Sequence, residues 1–342
     1  MALAYSLWPK DPAYLWQGMS VYAIDGSKYD LPATQELRNE FDPESGLNHE
    51  GRGHYPQCLV STAYDVFRRF SVARSVVSIH GSERQEAQNL LPFIPPGGIL
   101  LYDRGYPSFE FIAHLRQHYN GYFLFRCPAQ STFPAVEAFL RTHQEESYIL
   151  LAPSNKYIQK LDIIQRKKAG VIQLRIIKLV SPDGTVSVLL TNLLNKKRFL
   201  KKQIIDLYFR RWAVEGHYRD EKVVLDIEKF HGKTSNSIRQ ELFASVIMAV
   251  IARTLMVISS QAFSSGTEEF QFKNAIMNLA SEAALLVPDD PQKAVQIFNE
   301  LLREISRVKY YRPKSARPAQ PRVSKRPPNK WCDGRRKKLD KA

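Results

Sequence analysis

Two apolar segments each carry an acid, one inside a strand and one at a strand's end, and no other feature constrains the fold of this chain so tightly. YAIDGSKYDL, residues 22–31, opens with alternating apolar positions and reads as a β-strand holding Asp25 in its interior. An acid in mid-strand runs against propensity and is costly to bury unless it is paired or bound to metal. GGILLYDRGY, residues 97–106, holds an unbroken apolar run from Ile99 to Tyr102 that reads as a fully buried strand. That strand ends at Asp103, just before the turn residue Gly105. Ligands of open α/β sheets gather at the carboxyl ends of strands, so the two acids point to an α/β chain with a site at one end of its sheet.

A third acid lies in YFRRWAVEGHYRDEK, residues 208–222, where Tyr208, Arg211, Glu215 and Lys222 stand at offsets of zero, three, seven and fourteen. On an α-helix, turning about 100° per residue, those offsets bring the four side chains within roughly 60° of one another. A stripe facing a core would be apolar. One acid, two cations and a phenol suit a phosphodiester instead, the carboxylate holding metal and the others holding phosphate oxygens. Taken alone, the segment also reads as a solvated helix face, since Arg211 and Glu215 form an i, i+4 pair of a kind worth about 0.2–0.5 kcal/mol. Acids are plentiful, with Asp and Glu together numbering 34, so it is the context of Asp25, Asp103 and Glu215 that makes the triple specific.

With those motifs in place, the chain resembles the DDE transposases of bacterial insertion sequences, in the insertion-sequence-four family with its Tyr-x2-Arg-x3-Glu-x6-Lys signature. Tyr208, Arg211, Glu215 and Lys222 match the signature position for position; Asp25-Gly26-Ser27 and Asp103-Arg104-Gly105-Tyr106 match the family's two Asp motifs. GRGHYPQ (51–57) and SERQEA (82–87) are also similar to the family, and the resemblance runs from about residue 20 to about residue 260. It implies a ribonuclease H-like mixed sheet flanked by helices and interrupted by a β-rich insert before the Glu-bearing helix. It also implies DNA strand cleavage and strand transfer by in-line phosphoryl transfer, with Asp25, Asp103 and Glu215 as catalytic metal ligands for two Mg²⁺ ions, which Mn²⁺ can replace. Tyr208, Arg211 and Lys222 would contact the DNA backbone. Trp212, beside the stripe, has two readings: stacking on a displaced base or packing.

The local patterns agree with that fold. Strands are expected over 20–31, 57–66, 70–79, 98–103 and 121–126; helices over 82–93, opened by Ser82, and 107–119, with Pro107 at its first position. VIQLRIIKLV (171–180) and TVSVLLTNLL (185–194), joined by Ser181-Pro182-Asp183-Gly184, read as a hairpin. The expected organisation is a short leader (1–18), the first part of the catalytic domain (19–147), a β-rich insert (148–197), the second part with the signature helix (198–262), C-terminal helices (263–306) and a basic, Pro-rich tail (307–342). Ser237 and Gln240 suggest a capping box opening the apolar run 242–258. Arg253 within that run favours a buried core helix over a membrane span.

Composition narrows the partners. The net charge is +15, and the tail from Arg307 to Ala342, with 14 basic residues and two acids, carries +12 of it. A cationic tail reads either as a solubilising extension or as a phosphate-binding arm, and beside the DNA motifs the second is preferred. Cys58, Cys127 and Cys332 are odd in number and lack CxxC spacing, which fits free thiols in a reducing bacterial cytoplasm. His49 and His54 near Cys58 lack a fourth ligand for zinc. No Walker loop, dinucleotide fingerprint or secretory signal is visible, so neither a nucleotide cofactor nor a membrane is expected.

The expected partners are double-stranded DNA, as element ends and target, and further copies of the chain in a DNA complex. In the family a mostly helical DNA-binding region precedes the first Asp; here 24 residues do, so that region is expected to be largely absent. Two other readings follow: a truncated, non-catalytic DNA-binding relic that interferes with full-length transposase, or a stand-alone ribonuclease H-like nuclease.

Overall fold

The computed structural model describes residues 2–8, 11–44, 55–130, 133–153, 155–162, 170–181, 184–263, 270–282 and 290–309. His49, His54, the Pro182-Asp183 turn, Cys332 and the tail from residue 310 onward lie outside the described residues. Eight strands form one mixed sheet: β1 (Val21–Asp30), β2 (Gln57–Asp65), β3 (Phe70–Ser78), β4 (Ile99–Tyr102), β5 (Tyr122–Pro128), β6 (Glu146–Leu151), β7 (Ile172–Val180) and β8 (Val186–Thr191), in the order β3-β2-β1-β4-β5-β8-β7-β6. The first three are an antiparallel meander, β4 runs parallel to β1, and β5 runs parallel to β4. This is the ribonuclease H-like arrangement implied by the motifs.

The strands of the 148–197 segment form no separate layer. β8 pairs antiparallel with β5, and β7 and β6 follow outward, so the expected hairpin extends the main sheet. Alternation in these strands is legible, but which strand edge they join depends on tertiary packing.

Period-two alternation divides the side chains of β1 between two cores. Tyr22 and Ile24 face one that also contains Ala87, Phe111, Ile112, Leu115 and Val136. These come from α3 (Glu83–Leu90), α4 (Phe109–His118) and α5 (Pro134–Leu140). Val21 and Ala23 face the other, with Leu37 and Phe41 from α2 (Gln35–Phe41), Ile204, Leu207 and Tyr208 from a helix over Lys201–Phe209, and Val214 and Tyr218 from one over Ala213–Arg219. Burying each such large apolar side chain contributes about 1.5–3 kcal/mol, so both faces of the sheet are held by packing.

Before β1, α1 (Ala2–Leu7) is followed by Trp8, which packs into the first core. A short helix, α6 (Asn155–Lys160), follows β6. The signature segment is then built from α7 (Lys201–Phe209), a 3₁₀ turn (Arg210–Trp212), α8 (Ala213–Arg219) and a π turn (Asp220–Val224). A single α-helix with all four signature residues at one pitch is therefore not what forms. The tight and wide turns change the angular spacing, and Lys222 falls within the π turn.

The long helix α9 (Ser235–Ala262) is capped by Thr234, whose Oγ1 accepts from Ser237 N, and not by the expected Ser237–Gln240 pair. By length and hydropathy it could cross a membrane. Here Ile238 and Leu242 pack beneath the sheet, Ala252, Leu255 and Met256 pack against α10 (Phe272–Glu282) and α11 (Pro291–Arg307), and Arg253 Nη2 pairs with Asp220 Oδ2 at 3.0 Å. α4 likewise starts later than expected: Ser108 Oγ accepts from Phe111 N as the cap, leaving Pro107 outside the helix.

Candidate active site

The parallel pairing of β1 and β4 brings the two Asp residues together. Val21, Tyr22 and Ala23 lie opposite Ile99, Leu100 and Leu101; two steps further along that register stand Asp25 and Asp103. Both follow residues of the second core's face, Ala23 and Leu101, so both side chains project toward the side covered by α7 and α8. Asp25 Oδ1 accepts from Gly26 N at 3.0 Å, and its backbone carbonyl accepts from Tyr218 Oη at 2.7 Å. Asp103 Oδ1 accepts from Gly105 N at 2.7 Å, and Arg84 Nε clamps the same turn by donating to Gly105 O at 2.9 Å.

Glu215 reaches this strand end through Arg211. Arg211 Nη1 lies 3.4 Å from Asp25 Oδ2, and Arg211 Nη2 lies 3.0 Å from Glu215 Oε1. One guanidinium thus bridges an acid of the sheet and the acid of the helix. Among the described residues no three His, Cys, Asp or Glu side chains stand close enough to hold a metal ion as a group. The cation between Asp25 and Glu215 is Arg211, and the metal ligation expected of Asp25, Asp103 and Glu215 is not preformed. The donor set nonetheless suits a hard divalent cation, being carboxylate oxygens. Burial pushes the Asp25 carboxyl up to about 7, with Asp103 and Glu83 adding to the shift and Arg211 opposing it. Carboxylates crowded in this way are stabilised by added positive charge.

The residues expected to face phosphate are mostly engaged within the chain. Tyr208 is 2% exposed and packed in the second core, and Arg211 is 6% exposed. Lys222 Nζ pairs with Glu228 Oε1 at 3.1 Å, donates to Lys28 O, and lies over the Tyr29 ring. Trp212 is 46% exposed, with the Arg211 guanidinium 5.4 Å from its ring centroid. Part of its surface is open to solvent, as the stacking reading requires.

Behind the site, a buried polar network fixes α8 to the sheet. Arg74 Nη2 of β3 meets Glu221 Oε1 at 2.6 Å with both side chains 1% exposed, and Tyr29 Oη of β1 donates to Glu221 Oε2. His217 Nε2 lies 3.1 Å from Arg74 Nη2 and 2.9 Å from Ser71 Oγ. Because Arg can only donate, Nε2 is the acceptor and the ring is neutral; burial pushes its pKa down to about 4. Burial alone would raise Glu221, but Arg74, with the Tyr29 hydroxyl, holds its carboxyl below the usual range. None of this network was singled out from the sequence, because its partners lie 143 to 192 residues apart.

The sequence of the family described as Transposase DDE domain matches residues 16–251, over half of the chain, and the chain belongs to that family. It carries a transposase DDE domain. Among similar proteins is the transposase InsG for insertion sequence element IS4 of Escherichia coli (strain K12), 23% identical over 248 residues, which cover 71% of this chain and 53% of InsG. The chain therefore spans about half the length of that relative. A solved structure with some likeness is the piggyBac transposase in a synaptic complex with hairpin DNA, determined by cryo-EM. It has a TM-score of 0.47 and 10% identity, covering 82% of this chain and 57% of the other.

Proposed function

We propose that the chain cuts and joins DNA strands during transposition of an insertion sequence, with Asp25, Asp103 and Glu215 as its metal-binding acids. The observation that carries this reading is the placement of Asp25, within β1, beside Asp103, just past the end of the parallel β4, with Arg211 tying Glu215 to Asp25, in a chain of the Transposase DDE domain family. The family implies a divalent metal; Mg²⁺ is the proposed ion, two per site, with Mn²⁺ able to substitute. When bound, it would activate a water or a DNA 3′-hydroxyl and stabilise charge on the leaving oxygen.

The chain's own residues supply position and charge. Asp25 and Asp103 are held by Gly26 N and Gly105 N, so their orientation is fixed by backbone. Arg211 carries a planar fork of donors that fits phosphate as well as carboxylate, and it would exchange Asp25 and Glu215 for a phosphate once another cation neutralises those acids. Tyr208 and Lys222 would line the same strand, and Trp212 would stack on a displaced base. The partners proposed are element ends, target DNA and further copies of the chain, in the bacterial cytoplasm; the free, buried Cys58 and Cys127 suit a reducing compartment.

The test uses DNA carrying the sequences that flank the gene for this chain. Incubation with Mg²⁺ should give nicks with 3′-hydroxyl ends, and EDTA should prevent them. Equal nicking with and without EDTA would overturn the reading.

A further inference from the structure

A fourth carboxylate stands at this strand end, on the opposite face of the sheet from Glu215. Glu83 is the first residue of α3, behind the Ser82 cap. Gly26, immediately after Asp25, has no side chain on that face. A Cβ built there would lie 2.9 Å from Glu83 Cδ, 3.0 Å from Cγ and 3.1 Å from Oε1. The φ of Gly26 is not in the positive range, so the glycine serves space and not backbone conformation: its missing side chain lets the Glu83 carboxylate lie against the backbone beside Asp25. The next residue, Arg84, grips the Asp103 turn through Gly105 O. The first turn of α3 is therefore anchored to both acid-bearing strands.

The helix dipole accounts for an acid in the first turn of α3 but not for a glycine cleared to let it lie against β1. Among the described residues it forms no ion pair, and it is exposed at the surface of the site. A second, independent feature points to a ligand. Tyr106 Oη is buried, the residue being 1% exposed, and has no hydrogen-bond partner. Burial pushes its pKa well up, and Glu83 and Asp25 add most to that among its neighbours, with Asp103 adding less. Burial and Asp103 push the Glu83 carboxyl up, and Lys28 and the nearby Tyr106 hydroxyl oppose that shift, although among the described residues no atom meets the hydroxyl in hydrogen-bonding geometry. A buried donor left unpaired beside three acids is what a missing hydrated cation would leave behind.

Resting on the proposed metal-dependent function, we infer that Glu83 is a metal-site residue, binding the divalent cation held by Asp25 and Asp103 either directly or through a coordinated water that Tyr106 also meets. Gly26 is the positioning residue that admits it.

The test is Mn²⁺ binding by the full chain, read from the loss of the free-ion electron paramagnetic resonance signal, beside a melting temperature for each protein. Glu83→Gln, which keeps volume and removes charge, should weaken Mn²⁺ binding by about tenfold or more with the melting temperature in EDTA unchanged. Gly26→Ala should weaken it too, because the new methyl displaces the Glu83 side chain. In a Glu83→Ala background Gly26→Ala should have no further effect, since nothing remains to be displaced. Wild-type affinity in Glu83→Gln, together with loss of binding in Asp25→Asn, would overturn the assignment of Glu83 while leaving the metal reading intact. No Mn²⁺ binding by the wild-type chain would overturn both.

Discussion

Replacing Arg74 by Met should be among the most damaging single changes in the protein, although Arg74 touches no acid of the site. It would strand Glu221, whose carboxylate is 1% exposed and 2.6 Å from the guanidinium, with only Tyr29 and His217 to answer its charge. Breaking a buried pair on one side costs about 3–5 kcal/mol, about a fifth or more of a typical domain's stability. The cost should depend on pH. His217 Nε2 lies 3.5 Å from Glu221 Oε1, and without the nearby arginine its ring protonates more readily and can pair with Glu221. Urea unfolding at pH 8 and pH 6 is the assay, with the loss relative to wild type larger at pH 8. Adding Glu221→Gln should recover much of it, because no buried charge is then left alone. A loss below about 1 kcal/mol at pH 8, or one that grows as pH falls, would refute the reasoning.

Three further outcomes follow. In the native chain His217 is held near pKa 4 against an ordinary value of about 6.5. The unfolded chain therefore takes up the proton first, and stability should fall as pH drops from about 6.5 to about 4, by up to about 3 kcal/mol, with no contribution above that window. His217→Gln should flatten that limb of an unfolding-versus-pH curve. Arg211→Ala should destabilise the chain by about 1–3 kcal/mol in EDTA, since Asp25 loses its cation; Mg²⁺ should raise its melting temperature more than that of wild type. Arg211→Lys should restore strand cleavage only in part, because an ammonium cannot bridge two groups as the fork does. Trp212→Ala should weaken binding of single-stranded DNA by about 1–3 kcal/mol and leave the melting temperature nearly unchanged, as measured by fluorescence anisotropy beside thermal denaturation.

The parts of the fold that were legible in the sequence are those set by local periodicity. The strand around Asp25, the buried run ending at Asp103 and the hairpin after residue 170 all announce themselves by alternation or unbroken apolarity, and they form as β1, β4 and β7–β8. What the local pattern could not show was which edge the hairpin joins, because β8 meets β5 across about 60 residues. The signature segment misled in a related way. Its residues are compatible with α, 3₁₀ and π turns alike, and tertiary contacts such as Glu221 with Arg74 select the widened turn. Arg211 was legible as the i, i+4 partner of Glu215 but not as a bridge to Asp25, 186 residues away. Glu83 was hidden because an acid in the first turn of a capped helix is already explained by the helix dipole. Only its contact with Gly26 shows that it belongs to the strand end.

The central claim is that acids from β1, the end of β4 and α8 act as one metal-dependent centre on DNA. The most direct measurement is single-turnover cleavage, in Mg²⁺, of DNA carrying the gene's flanking sequences. It compares the wild-type chain with Asp25→Asn, Asp103→Asn and Glu215→Gln, each verified as folded by its melting temperature. Because each substitution removes an anionic ligand without changing volume, all three should lose cleavage by at least about a hundredfold, an expectation of about 2.7 kcal/mol in the barrier. Near-wild-type cleavage by any one of the three would contradict the account and remove that acid from the centre.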